Sequence, residues 1–93
     1  MIVYYVTVPT VPPTIWDLGA PRFYTDKDVL LADFAADAWT AGGVTSVGID
    51  VVEGTVTVAV AGEELVASVQ SGDSGQFGAL TEVEPGVYVG HGQ

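Results

Sequence analysis

The stretch Val44–Val69, VTSVGIDVVEGTVTVAVAGEELVASV, decides the fold. Valine, isoleucine and threonine fill it, and apolar residues return at every second position, as in a strand with one covered face. Two glycine-bearing breaks, Glu53-Gly54 and Gly62-Glu63, divide it into three runs. Read as a two-residue hairpin turn, the first break sets Val51 opposite Val56, Ile49 opposite Val58 and Val47 opposite Val60. The second sets Val60 opposite Leu65, Val58 opposite Ala67 and Val56 opposite Val69. Both turns collect the same residues on one apolar face, which leaves Ser46, Asp50, Thr55, Thr57 and Ser68 on the other. The expectation is a three-stranded antiparallel meander over 44–69.

The apolar face needs a cover, and the chain offers one helix. Residues 26–41 place Leu31, Phe34, Ala35, Ala38 and Ala41 on one side at helical spacing, with Trp39 at its edge. Asp26, Asp33, Asp37 and Thr40 group on the opposite side. Thr25 is the expected N-cap, with Asp28 three residues on, and Gly42-Gly43 the expected stop. Leu31, Phe34, Ile49, Val58 and Leu65 are the expected core.

Around this unit lie four further segments. Residues 1–8, MIVYYVTV, form a strand that is apolar on both faces, and therefore central or covered by a partner. Residues 9–25 carry Pro9, Pro12, Pro13 and Pro21, which lack the N–H of a regular ladder, so an extended Pro-rich arm is expected. Residues 70–79, QSGDSGQFGA, read as a flexible loop. Residues 80–90 read as a closing hairpin, with Pro85-Gly86 at the centre of a type II turn. The fold class that follows is α+β in one domain over 1–93, with one helix on a small antiparallel sheet and an N-terminal arm.

Charge narrows the function. Twelve carboxylates stand against Lys27 and Arg22 alone, a formal net charge of −10. Two cations cannot track a phosphate backbone, and an acidic chain is repelled by anionic membrane surfaces, so neither nucleic acid nor membrane is an expected direct partner. No stretch has the pattern of a signal peptide or a membrane span. There is no Cys, and His91 is the single His, so no disulfide and no structural metal site is expected. Gly72-Asp73-Ser74-Gly75 matches the GDSG around a serine-protease nucleophile, but a histidine base and buried aspartate are not placed to serve it. Asp33 and Asp37 form a solvated acidic face on the helix. The chain therefore reads as non-enzymatic, with no cofactor.

The arm is where a partner is expected. Ile15, Trp16, Leu18, Phe23 and Tyr24 are too apolar for a solvated linker, and Trp16 has the character of an interface anchor. The Ala/Val/Gly/Thr/Asp-heavy composition, the extended arm and the closing strand pair EVEPGVYVG resemble the small virion proteins of tailed phages that infect actinobacteria. That resemblance implies a structural or assembly role as a head–tail connector, tail or capsid-decorating subunit. It places the protein in the virion, docked on copies of itself or on other virion proteins. The alternative is an acidic DNA mimic or inhibitor that occupies a basic groove.

Overall fold

The computed structural model describes residues 1–9, 12–16, 20–40, 44–60 and 62–90, with backbone only at 39 and 40. It is an α+β fold, one helix on an antiparallel sheet of eight strands. The strands are β1 (Ile2–Val8), β2 (Thr14–Ile15), β3 (Arg22–Tyr24), β4 (Val44–Asp50), β5 (Thr55–Val60), β6 (Glu63–Asp73), β7 (Leu80–Glu84) and β8 (Val87–Gly90). They lie in the order β4-β5-β6-β1-β3-β8-β7, with β2 paired to the end of β1. The helix α1 spans Lys27–Thr40.

The meander forms with its expected faces but not its expected pairs. Ile49 lies opposite Val56 and Val47 opposite Val58, so Val51 and Val56 are not cross-strand neighbours. Val58 lies opposite Leu65 and Val56 opposite Ala67. Each register is displaced by two residues, and an even displacement keeps every side chain on its face. Turn chemistry explains the first displacement. A two-residue Glu53-Gly54 turn asks Glu53 for a left-handed φ, which suits glycine and not glutamate. Instead Val51–Gly54 form a longer connection in which Gly54 takes the left-handed position, at φ 70°. Asp50 holds it, accepting from the Gly54 N–H at 2.8 Å through its carbonyl and from the Glu53 N–H at 2.9 Å through its side chain. In the second hairpin Val60 pairs directly with Glu63, so left-handed Gly62 (φ 84°) precedes the strand and Glu63 belongs to it.

Asp26, not Thr25, caps the helix. Its carboxylate accepts from the N–H groups of Asp28 at 2.8 Å and Val29 at 3.3 Å, and so fills two otherwise unpaired donors. Thr25 instead pairs its own N–H with the Gly86 carbonyl of the β7–β8 turn at 3.0 Å. That turn is the expected Pro85-Gly86 hairpin, with Glu84 opposite Val87 and Gly86 at φ 78°. A Cβ on Gly86 would lie 2.8 Å from the Thr25 hydroxyl, so the turn is fitted against the start of the helix. The expected stop at Gly42-Gly43, and Ala41 of the expected apolar face, lie outside the described residues.

The arm expected over 9–25 is not seen as such: among its described residues two short pieces are taken into the sheet. Its described residues form β2 after Pro13 and β3 after Pro21, and the Trp16 N–H donates to the Val6 carbonyl at 2.8 Å. The prolines interrupt the ladder without abolishing it, because the residues between them keep their donors. The stretch expected as a loop over 70–79 is also ordered. β6 runs on to Asp73 beside β1, and Ser74–Phe77 make a 3₁₀ turn.

The sheet is covered on both sides at its centre. On the helix side Val6, Tyr24, Leu30, Leu31, Phe34, Val56, Val58, Ala67 and Val87 pack together with Trp16. On the other side lie Val3 and Phe23, both buried, with Tyr5 and Phe77 against them. β1 is apolar on both faces because it is central. Leu31, Phe34 and Val58 are buried as expected, whereas Ile49 and Leu65 stay 46% and 47% exposed. Size accounts for the difference. Seven strands span about 29 Å at about 4.8 Å spacing, while a 14-residue helix covers about 21 Å by about 10 Å. The outer part of the meander has no lid among the described residues.

Candidate docking surface

The residues expected to meet a partner mostly meet their own chain. Trp16, Phe23 and Tyr24 are 7%, 2% and 1% exposed, and Ile15 is half-buried in β2. Leu18 lies outside the described residues, as do Thr10, Val11 and His91. Trp16 sits edge-on to Phe34, with ring centroids 5.1 Å apart, and stacks on Tyr24 at 6.4 Å. The Arg22 guanidinium lies 5.8 Å from both ring centroids, a cation–π arrangement. An anchor held this way is closed to a partner unless the segment opens, so the reading of Trp16, Phe23 and Tyr24 as free interface groups is corrected. Bulk and apolarity gave the same signal for core as for interface.

The acidic helix face is put to internal use. The Trp16 indole N–H donates to Asp37 at 2.7 Å, and the Tyr24 hydroxyl donates to Asp33 at 2.8 Å. The Arg22 Nε–H donates to the same Tyr24 oxygen at 3.3 Å. Burying the polar ends of Trp and Tyr is tolerable only if they find acceptors. Placed one turn apart, Asp33 and Asp37 supply one each. Sequence spacing showed these carboxylates sharing a face but not what they serve.

Burial pushes the Tyr24 hydroxyl above the ordinary tyrosine range, opposed by the hydrogen bond from Arg22 and reinforced by the one to Asp33. Because the folded state holds this proton more tightly, its contribution is complete below the unfolded tyrosine value near 10 and is lost as pH rises through the folded one. Tyr88 is displaced the same way, by desolvation and the nearby Glu82 carboxylate. Urea unfolding at alkaline pH should therefore lose stability, and Tyr24→Phe should flatten that loss while Tyr88 keeps its share. An unchanged slope in Tyr24→Phe would remove Tyr24 from the linkage.

Gly72-Asp73-Ser74-Gly75 has a structural explanation. The Asp73 side chain accepts from the Gly75 N–H at 2.8 Å, and the Gln76 side chain accepts from the Asp73 N–H at 3.0 Å, a reciprocal cap on the 3₁₀ turn. A Cβ on Gly72 would lie 2.6 Å from Gln76 Oε1 and 3.3 Å from the Phe77 ring. The motif thus folds Phe77 back onto the sheet. Among the described residues no three His, Asp or Glu side chains gather as metal ligands, and no helix is long and apolar enough to cross a membrane.

What remains open is the uncovered meander. Beside the helix lies a groove of about 210 Å³, lined by Val8, Pro9, Phe34, Ala38, Val58 and Leu65 among others, all apolar. Val44 of β4 forms part of its wall. Beyond it Val47 is half-buried and Ile49 exposed, on the same face, because a bulge between Val44 and Ser46 brings residues of different parity together. No known protein family, curated protein or solved structure matches this chain. Its surface chemistry is therefore the guide to what it does.

Proposed function

We propose that the protein is a non-enzymatic structural subunit that works by docking within a multi-subunit assembly. The setting is the virion of a tailed bacteriophage, as connector, tail or capsid-decorating component. Its partners there are copies of itself or other virion proteins. The observation that carries the reading is the apolar groove beside the helix, with half-exposed Leu65 on its wall. An apolar groove open on a small, strongly acidic domain is a feature of proteins that complete their burial against a neighbour. The Pro-rich segment contributes by bracing the helix, with Ile15 the most accessible of that set among the described residues.

The test uses Leu65→Asp, which places a charge on the groove while disturbing a side chain that is only half-buried. Static light scattering should give the wild type a mass several times the 9.6 kDa chain. The variant should fall to the monomer mass with a stability change of about 1 kcal/mol. A wild type that stays monomeric, with light scattering and unfolding both indifferent to Leu65→Asp, would overturn docking through this groove.

A further inference from the structure

Resting on that docking reading, we propose that β4 is a strand-addition site whose occupant is an extended segment of a different protein, apolar at alternate positions and flanked by Lys or Arg. Among the described residues the two end strands of the sheet order, β4 and β7, are unlike. β7 carries Glu82 and Glu84 and is bulged between them, the usual protection against unwanted pairing. β4 is regular from Ser46 to Asp50, with no Pro, no Lys and no charge before Asp50. Alternate N–H and C=O groups of such an edge point away from the sheet and offer main-chain bonds to an incoming strand. On the helix side Val47 and Ile49 would stand beside that strand's apolar residues on one face of the sheet.

Charge selects the occupant. After Lys27 the chain has no Lys or Arg at all. Asp50 and Glu53 stand at one end of the edge. At the other, Glu63 pairs with Val60 and Val60 with Val44, so Glu63 and Glu64 flank that end from two strands away. A second copy pairing antiparallel about Val47 would set each Asp50 beside the other's Val44 and join two chains of −10 with no compensating cation. A strand with basic flanks meets the carboxylates at both ends, and such complementarity selects partners and speeds encounter.

The probe is a short peptide of alternating valine and threonine with two lysines at each end, added to the full-length protein. Hydrogen exchange should show the amides of residues 46–50 gaining protection. Affinity should fall roughly tenfold between about 0.05 M and about 0.5 M salt, as exposed charge pairs are screened. The pair Asp50→Asn with Glu53→Gln should weaken binding several-fold, and asparagine keeps the acceptor that holds the turn. A glutamate-flanked peptide should not bind. Equal binding of both peptides, protection at residues 80–84 instead, or no protection would each overturn the proposal. Concentration-dependent protection of β4 without peptide would replace it with pairing between copies. Should Leu65→Asp still dissolve a wild-type assembly while the peptide leaves β4 unprotected, this inference falls and the docking reading stands; if neither effect is seen, both fall.

Discussion

Trp16→Ala should destabilise the fold by roughly 3–5 kcal/mol, the cost of truncating a buried aromatic to alanine. Domains of this size hold roughly 5–15 kcal/mol in total, so the variant should give up a large fraction of its stability. Three losses combine. The ring leaves a cavity between Phe34 and Tyr24, Arg22 loses one of the two faces it rests on, and Asp37 loses the indole donor at 2.7 Å. Urea unfolding of Trp16→Ala and Trp16→Phe separates them. Phenylalanine keeps most of the buried ring and surrenders the hydrogen bond, at a cost of about 1–2 kcal/mol. If Trp16→Ala instead loses under about 1 kcal/mol and weakens assembly, the segment is an interface arm that lies only loosely on the sheet.

Period-two patterning carried the faces of the meander, because in a strand face membership depends only on parity, and helical spacing carried the helix. Val47, Ile49, Val56, Val58 and Ala67 share the face assigned to them, although both hairpins closed two residues away from the expected pairs. Pair identity depends on turn geometry, and there the left-handed requirement at Gly54 and the carboxylate of Asp50 outweighed the shorter turn. Extent was not legible. Ile49 and Leu65 have the residue types and parity of core positions, yet whether the helix reaches them depends on how many strands β1 and β3 recruit. That recruitment rests on long-range pairings such as Tyr4 with Ser71 and Tyr24 with Val87, which leave no local periodicity. The same gap hid the groove and the edge. Both arise where an eight-stranded sheet outruns a single helix.

The side of the sheet away from the helix supplies the other large effect. Phe23 is 2% exposed, its ring centroid 4.6 Å from that of Phe77 and 5.8 Å from that of Tyr5, and Gly90 approaches its edge so that a Cβ there would stand 3.4 Å away. Among the described residues no α-helix covers this face. Phe77 does so because Asp73 and Gln76 cap the short turn that carries it, and Gly72 leaves room beneath. Phe23→Ala should therefore cost roughly 3–5 kcal/mol, as for other buried phenylalanines. Phe77→Ala, at a half-buried position, should cost less. The pair in contact should be non-additive, with a coupling of about 0.5–1.5 kcal/mol, since an edge or tilted ring pair is worth that much beyond burial. Urea unfolding of the two single variants and the double variant measures it. Additive losses would mean that Phe77 only shields Phe23 from water. A Phe23→Ala loss near zero would mean that the 3₁₀ turn packs on nothing, and residues 70–79 would again be the free loop that their glycines and serines suggest.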